Sequence, residues 1–275
     1  MDTYFDLGGY SFPVTTQSTE AQTWFDRGIL WTYGYNHEEA VTCFERAIDA
    51  DPKCAMAHWG AGYASGPNYN MPWDLFDYAG RAAAAWAGYA HARKALDLID
   101  GVTGWEAALI HALPARHPQP DPLDPEAMKA WNTDFADAMR DVFASHSESH
   151  EVRTVFAESL LNLTPWKMWD LASGQPAEGA RTVEAQTVLE EALEGDPSAM
   201  HHPGLLHLYV HLMEMSPFPE KALKAGDALR RLVPDAGHLI HMPTHIDILC
   251  GHYQNVVDWN EAVSYTHLRA HETCV

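Results

Sequence analysis

The stretch AQTWFDRGILWTYGYNHEEAVTCFERAIDADPKC, residues 21–54, decides how the chain is read. Trp24, Gly28 and Trp31 recur at helical spacing and share one face of a helix. Gly34-Tyr35-Asn36 turns the chain, and Ala40, Phe44 and Ala47 form a matching face on a second helix, which Pro52 terminates. Small residues let the two helices approach closely, and large ones fill the groove between them. The segment predicts a helix-turn-helix pair.

A second pair opens at Ala55, with His58 and Gly62 in the places of Trp24 and Gly28. It breaks off at SGPNYNMP, residues 65–72, where Gly and Pro mark a loop. Alanine-rich residues 80–99 predict a helix with Trp86, Tyr89, Ala90 and Leu96 available for packing. Residues 106–113 predict another. Residues 114–125 hold five prolines and predict a loop. Helices are expected over residues 125–144 and 151–163, then a connection over 165–179. From Val183 the pattern returns, with Ala185, Leu189, Ala192 and Pro197 at the spacing of Ala40, Phe44, Ala47 and Pro52. Ala222 and Pro234 repeat the interval with Gly226 in place of the large residue, and Gly251-His252-Tyr253 opens a last partial unit. No apolar alternation of strand type runs for any length, so no sheet is expected.

These positions resemble the tetratricopeptide repeat (TPR), with Arg27 where Leu is usual and Trp31 where Tyr is usual. The resemblance implies an all-α fold: an α-solenoid of helix-turn-helix repeats with long loop insertions over residues 21–262, behind an irregular arm of residues 1–20. In such solenoids the first helices of successive repeats lie side by side and line the concave surface. Residues 207–214 and 238–245 are then expected on adjacent first helices.

Those two segments lie in HHPGLLHLYVHLMEMSPFPEKALKAGDALRRLVPDAGHLIHMPTHIDILCGHY, residues 201–253, which holds eight of the seventeen histidines. On a helix His207, His211 and Glu214 fall within an arc of about 60°. His238, His241 and His245 make a second stripe of the same kind. Imidazole and carboxylate suit Zn, Cu or Fe, and two histidines with one carboxylate leave positions for water or substrate. The expected metal ligands are His207, His211 and Glu214, with His241 and His245 completing the shell. A helix interface in which these histidines merely pack and hydrogen-bond is the plainer alternative. Pro243 should start or kink a helix, and a break there turns His238 and His241 away from His245.

Several chemistries lack support. Position 208 is Leu, so the glutamate that zinc peptidases carry between their paired histidines is missing. There is no G-x-x-x-x-G-K or G-x-G-x-x-G loop, no G-x-S-x-G elbow and no C-x-x-C pair, which leaves nucleotide binding and serine-hydrolase chemistry without a motif. His201 and His202 are expected in the lead-in to the helix, His37 at a helix start, Asn68 and Asn70 in turns, and Cys250 as a small packed thiol.

The formal charge is −21, from 38 acidic and 17 basic residues, which disfavours nucleic acid as a partner and favours cations. No apolar run reaches the ~18 residues of a membrane helix, and the acidic start is unlike a secretory signal, so a cytoplasmic location is expected. Four cysteines without regular spacing agree. Residues 263–273, VSYTHLRAHET, resemble a translated sequencing-library adapter, so the natural sequence is expected to give way near Ala262 and His267, Arg269, His271 and Cys274 are set aside.

YGYNHEEAVTCFERAIDADPKCAMAHWG (33–60), GPNYN (66–70), HHPGLLHLYVHLMEMSPFPEKAL (201–223) and PDAGHLIHMPTHI (234–246) together resemble a family of bacterial and fungal TPR proteins carrying HxxxHxxE and HMPTH motifs. The resemblance implies that the two histidine segments lie near one another, and it implies no particular reaction. Two functions follow: a metal-binding solenoid, with enzymatic activity left open, or a scaffold that holds a protein or peptide partner in the concave groove. A groove that clamps a peptide carboxylate needs rows of Lys, Arg and Asn, and this chain offers few Lys there.

Overall fold

The computed structural model describes the backbone of residues 4–273 and the side chains of residues 4–264. Within that range the chain is all-helical, with no strand and two isolated bridges, Asn68–Met71 and Trp169–Pro176. Neighbouring helices pack in sequence order. None is long and apolar enough to cross a membrane.

The contacts divide into two units, the first Ser11–Trp166 and the second the chain from Lys167 onward together with the segment to Tyr10. In the first, α1 (Thr19–Tyr33), α2 (His37–Ala50) and α3 (Ala55–Ala64) form the expected antiparallel start. Ser18 accepts from the Ala21 amide and Asn36 from the Glu39 amide, so α1 and α2 begin on side-chain caps that satisfy otherwise unbonded N–H groups. Phe44 explains the glycines opposite it: a Cβ on Gly28 would stand 2.6 Å from its ring, and one on Gly60 2.4 Å. The repeat-like spacing therefore sets three helices around one phenyl group. The arm ahead of α1 is irregular yet pinned. Thr15 donates through its amide and hydroxyl to the buried Glu106, and the Phe12 amide donates to Asp26.

Next come α4 (Tyr78–Asp97), α5 (Gly104–Arg116), α6 (Pro125–Ser145) and α7 (His150–Leu161). Two expectations need correction. Trp86 is 65% exposed, and α4 packs instead through Ala84, Ala85, Gly88, Ala92 and Ala95. The reason is close approach: a Cβ on Gly88 would lie 2.3 Å from the His117 ring, so only small residues fit that face. The loop expected from Pro114 begins later, because α5 runs through Pro114 to Arg116. A proline in the last turn forfeits one helical hydrogen bond. Arg116 is anchored beyond it, fully buried, donating to the Pro67 carbonyl and lying over the Tyr63 and Phe135 rings at 4.6 and 5.2 Å.

The second unit holds α8 (Thr182–Gly195), α9 (Pro203–Met213), α10 (Leu223–Leu229), α11 (Gly237–His241), α12 (Pro243–Leu249) and α13 (Tyr253–Thr273). Every residue of α9 is buried, so any polar side chain on it needs a partner supplied by the fold. The helix is fixed at both ends. His202 caps its start, accepting from the Leu205 amide at 3.2 Å while its other nitrogen meets the Tyr10 hydroxyl at 2.9 Å. The Trp169 indole N–H donates to the Leu212 carbonyl at 2.7 Å, covering one of the carbonyls that a helix end leaves open. A buried ion pair, Arg230 to Asp247 at 2.9 Å, ties the end of α10 to α12. The tail, residues 263–273, continues the backbone of α13, and its side chains from residue 265 lie outside the described residues.

Candidate metal centre

Helix α9 presents His207 and His211 one turn apart, with ring centroids at 4.6 Å. Across from them α11 presents His238, 4.9 Å from the His207 ring and 6.0 Å from that of His211. One ligand atom of each of the three lies within 4.8 Å of the others. Three nitrogens on one tetrahedral ion stand about 3.3 Å apart, given Zn–N bonds of about 2.0–2.1 Å. The difference is of the size that side-chain torsions cover.

Glu214 follows α9 as its C-cap in helical conformation, so it keeps the one-turn spacing from His211 that the sequence predicts. Both carboxylate oxygens are engaged. His211 Nδ1–H donates to Oε1 at 2.9 Å, and His245 Nδ1–H donates to Oε2 at 2.5 Å. With its Nδ1 proton committed, a neutral His211 carries its lone pair on Nε2. A histidine whose second nitrogen is held by a carboxylate is the usual arrangement around protein metal ions, since it fixes tautomer and ring orientation.

Electrostatics agree with this assignment. Burial pushes His211 below the usual histidine range against the opposing pull of Glu214. Burial, with the neighbouring imidazoles of His211, His241 and His245, pushes His238 down to about 3. Burial would raise Glu214, but the hydrogen bonds from His211 and His245 outweigh it and hold the carboxyl at about 2. At neutral pH the cluster is thus two neutral imidazoles on opposite helices beside an anionic carboxylate, a set of lone pairs suited to a cation.

His241 and His245 stand on either side of the α11–α12 junction, where Pro243 begins the new helix as its N1 residue. Met242 between them keeps helical angles, so the break leaves the two rings facing, Nε2 to Nε2 at 3.1 Å. His238 faces His207 and His211 instead. The structure narrows and corrects the expected ligand set: the ligand atoms within 4.8 Å of one another are those of His207, His211 and His238, Glu214 is hydrogen-bonded to His211 and His245, and His241 and His245 pair with each other instead of completing that shell. His238 belongs to the sequence stripe of three, and nothing in that stripe says which of its members meets α9. The remaining candidates serve the fold: Asn68 Oδ1 accepts from the Asn70 and Met71 amides, and His202 caps α9.

No protein-family model matches the chain, and no curated protein matches it.

Proposed function

We propose that this is a TPR-like helical-repeat protein that holds one divalent transition-metal ion through His207, His211 and His238, with Glu214 orienting His211. The observation that carries the reading is the approach of three ligand atoms to within 4.8 Å from two helices that meet at this point. Imidazole nitrogens suit Zn, Cu or Fe, and a tetrahedral ion held by three of them keeps a fourth position. That position, when a metal is bound, supplies a Lewis acid toward water or a substrate oxygen. The chain's own contribution is to exclude bulk water through the fully buried α9 and to set ring orientation through Glu214. A solenoid of repeats in each unit and a cytoplasmic location extend the same reading from the sequence pattern.

Elemental analysis of tag-free protein after exhaustive dialysis, beside a His207→Ala, His211→Ala variant, tests it. One dialysis-resistant equivalent in the wild type and none in the folded variant is the expected result. Equal metal content in the two, or none in either, contradicts the proposal.

A further inference from the structure

His241 and His245 pose a separate problem of protons. His241 Nδ1 lies 2.7 Å from Asn260 Oδ1. The orientation of that amide is fixed, because Asn260 Nδ2 donates to the Val256 carbonyl at 2.8 Å and to Thr244 Oγ1 at 3.3 Å. His241 therefore donates from Nδ1, and a neutral ring leaves a lone pair on Nε2. His245 likewise donates from Nδ1 to the Glu214 carboxylate, leaving its own lone pair on Nε2. In their neutral forms the two Nε2 atoms then face each other at 3.1 Å as two lone pairs.

Another pair in the chain shows that the distance alone is not the point. His58 Nδ1 and His91 Nδ1 also meet at 3.1 Å. Among the described residues no hydrogen bond from a carboxylate or amide holds the other nitrogen of either ring, Glu45 acting on His91 only through its charge, so one donates and the other accepts, and the contact is an ordinary hydrogen bond. At His241 and His245 both protons are spent on oxygen, and only an added proton or a metal cation joins the two lone pairs. Two nitrogens on one ion span about 2.9 Å on an octahedral edge and about 3.3 Å on a tetrahedral one. A shift of about 0.2 Å takes the pair to either geometry, so it is the direction of the lone pairs that singles it out.

We propose that His241 Nε2 and His245 Nε2 form a second site for a divalent transition-metal ion, open to solvent. His245 is 40% exposed, so water or a substrate oxygen completes the coordination. Glu214 ties the two sites, holding His211 of the buried triad with one oxygen and His245 with the other. The inference rests on reading the triad as a metal centre but uses different ligand atoms. Two protein nitrogens hold an ion less tightly than three, so the second ion is lost on dialysis and regained on exposure to free metal.

The full chain, equilibrated with micromolar Zn2+ alone and analysed for bound metal, tests this. The wild type is expected to bind two equivalents, and His241→Ala and His245→Gln one each, with helicity checked by circular dichroism. One equivalent in the wild type that survives in both variants overturns the second site and leaves the triad standing; one that is lost in them overturns the triad instead; none overturns both. Two equivalents retained in the variants also overturn it, because the second ion then lies elsewhere. If the variants fail to fold, anomalous scattering from zinc-loaded wild-type crystals decides: a peak within about 2.1 Å of both Nε2 atoms supports the site, and its absence refutes it.

Discussion

In the first unit two histidines answer each other in a single contact and others are buried singly; in the second three converge beside a carboxylate. His117 is fully buried against Gly88 with the Arg116 guanidinium nearby, and burial foremost, then that charge, pushes it down to about 3. His37 and His58 are pushed down to about 4, by burial first and then by Arg116 and His91 respectively. His238 in the second unit reaches about 3 by the same route. Desolvation thus neutralises imidazoles in both places and does not mark a site. What sets the second unit apart is that ligand atoms of three rings, two on α9 and one on α11, come within 4.8 Å of one another and that a carboxylate fixes the tautomer of His211. Lone pairs without a common focus are packing; lone pairs with one are a ligand set.

The largest expected effect is acid lability, to which buried histidines of both units contribute. His37, His58 and His117 have folded values below the unfolded 6.5, so between those values the unfolded chain binds more protons. Their cost is absent above pH 6.5 and grows as pH falls toward about 3, His117 alone accounting for a loss on the order of 4 kcal/mol. Chemical denaturation followed by tryptophan fluorescence should show stability falling steeply from pH 7 to 4. A flat profile would mean that these rings are not buried neutral.

A second, intermediate effect isolates the carboxylate. Glu214→Gln keeps one carbonyl acceptor where two imidazole N–H groups need one each, and it should weaken metal affinity by about 10–100-fold in a competition titration. Unchanged affinity would remove Glu214 from any role at the centre. The smallest effect is expected from the first unit. His58→Ala with His91→Ala should leave the dialysis-resistant metal equivalent in place, since that pair is an internal hydrogen bond; loss of metal there would dissolve the comparison.

Much of this arrangement was legible in the residues, because helix periodicity is a local property. Gly28 and Phe44 announce the α1–α2 contact, and Gly60 adds α3 to the same ring. His207, His211 and Glu214 announce one face because one helical turn separates them. The rest depends on distant partners. The sequence cannot rank Trp86 below the alanines of α4, since that choice is made by His117 lying against Gly88. It cannot stop α5 at Pro114 or carry it to Arg116 without knowing that Arg116 is held by Pro67, Tyr63 and Phe135. It groups His238 with His241 and His245, but only the tertiary fold sets the His238 ring against those of His207 and His211.

The central claim is that three imidazoles from two helices share one ion. X-ray absorption at the metal edge, on protein loaded with a single equivalent, tests it most directly when wild type is set beside His238→Ala. The account predicts three imidazole nitrogens at about 2.0–2.1 Å in the wild type and two in the variant. An identical imidazole shell in both, or a shell without imidazole, would contradict it.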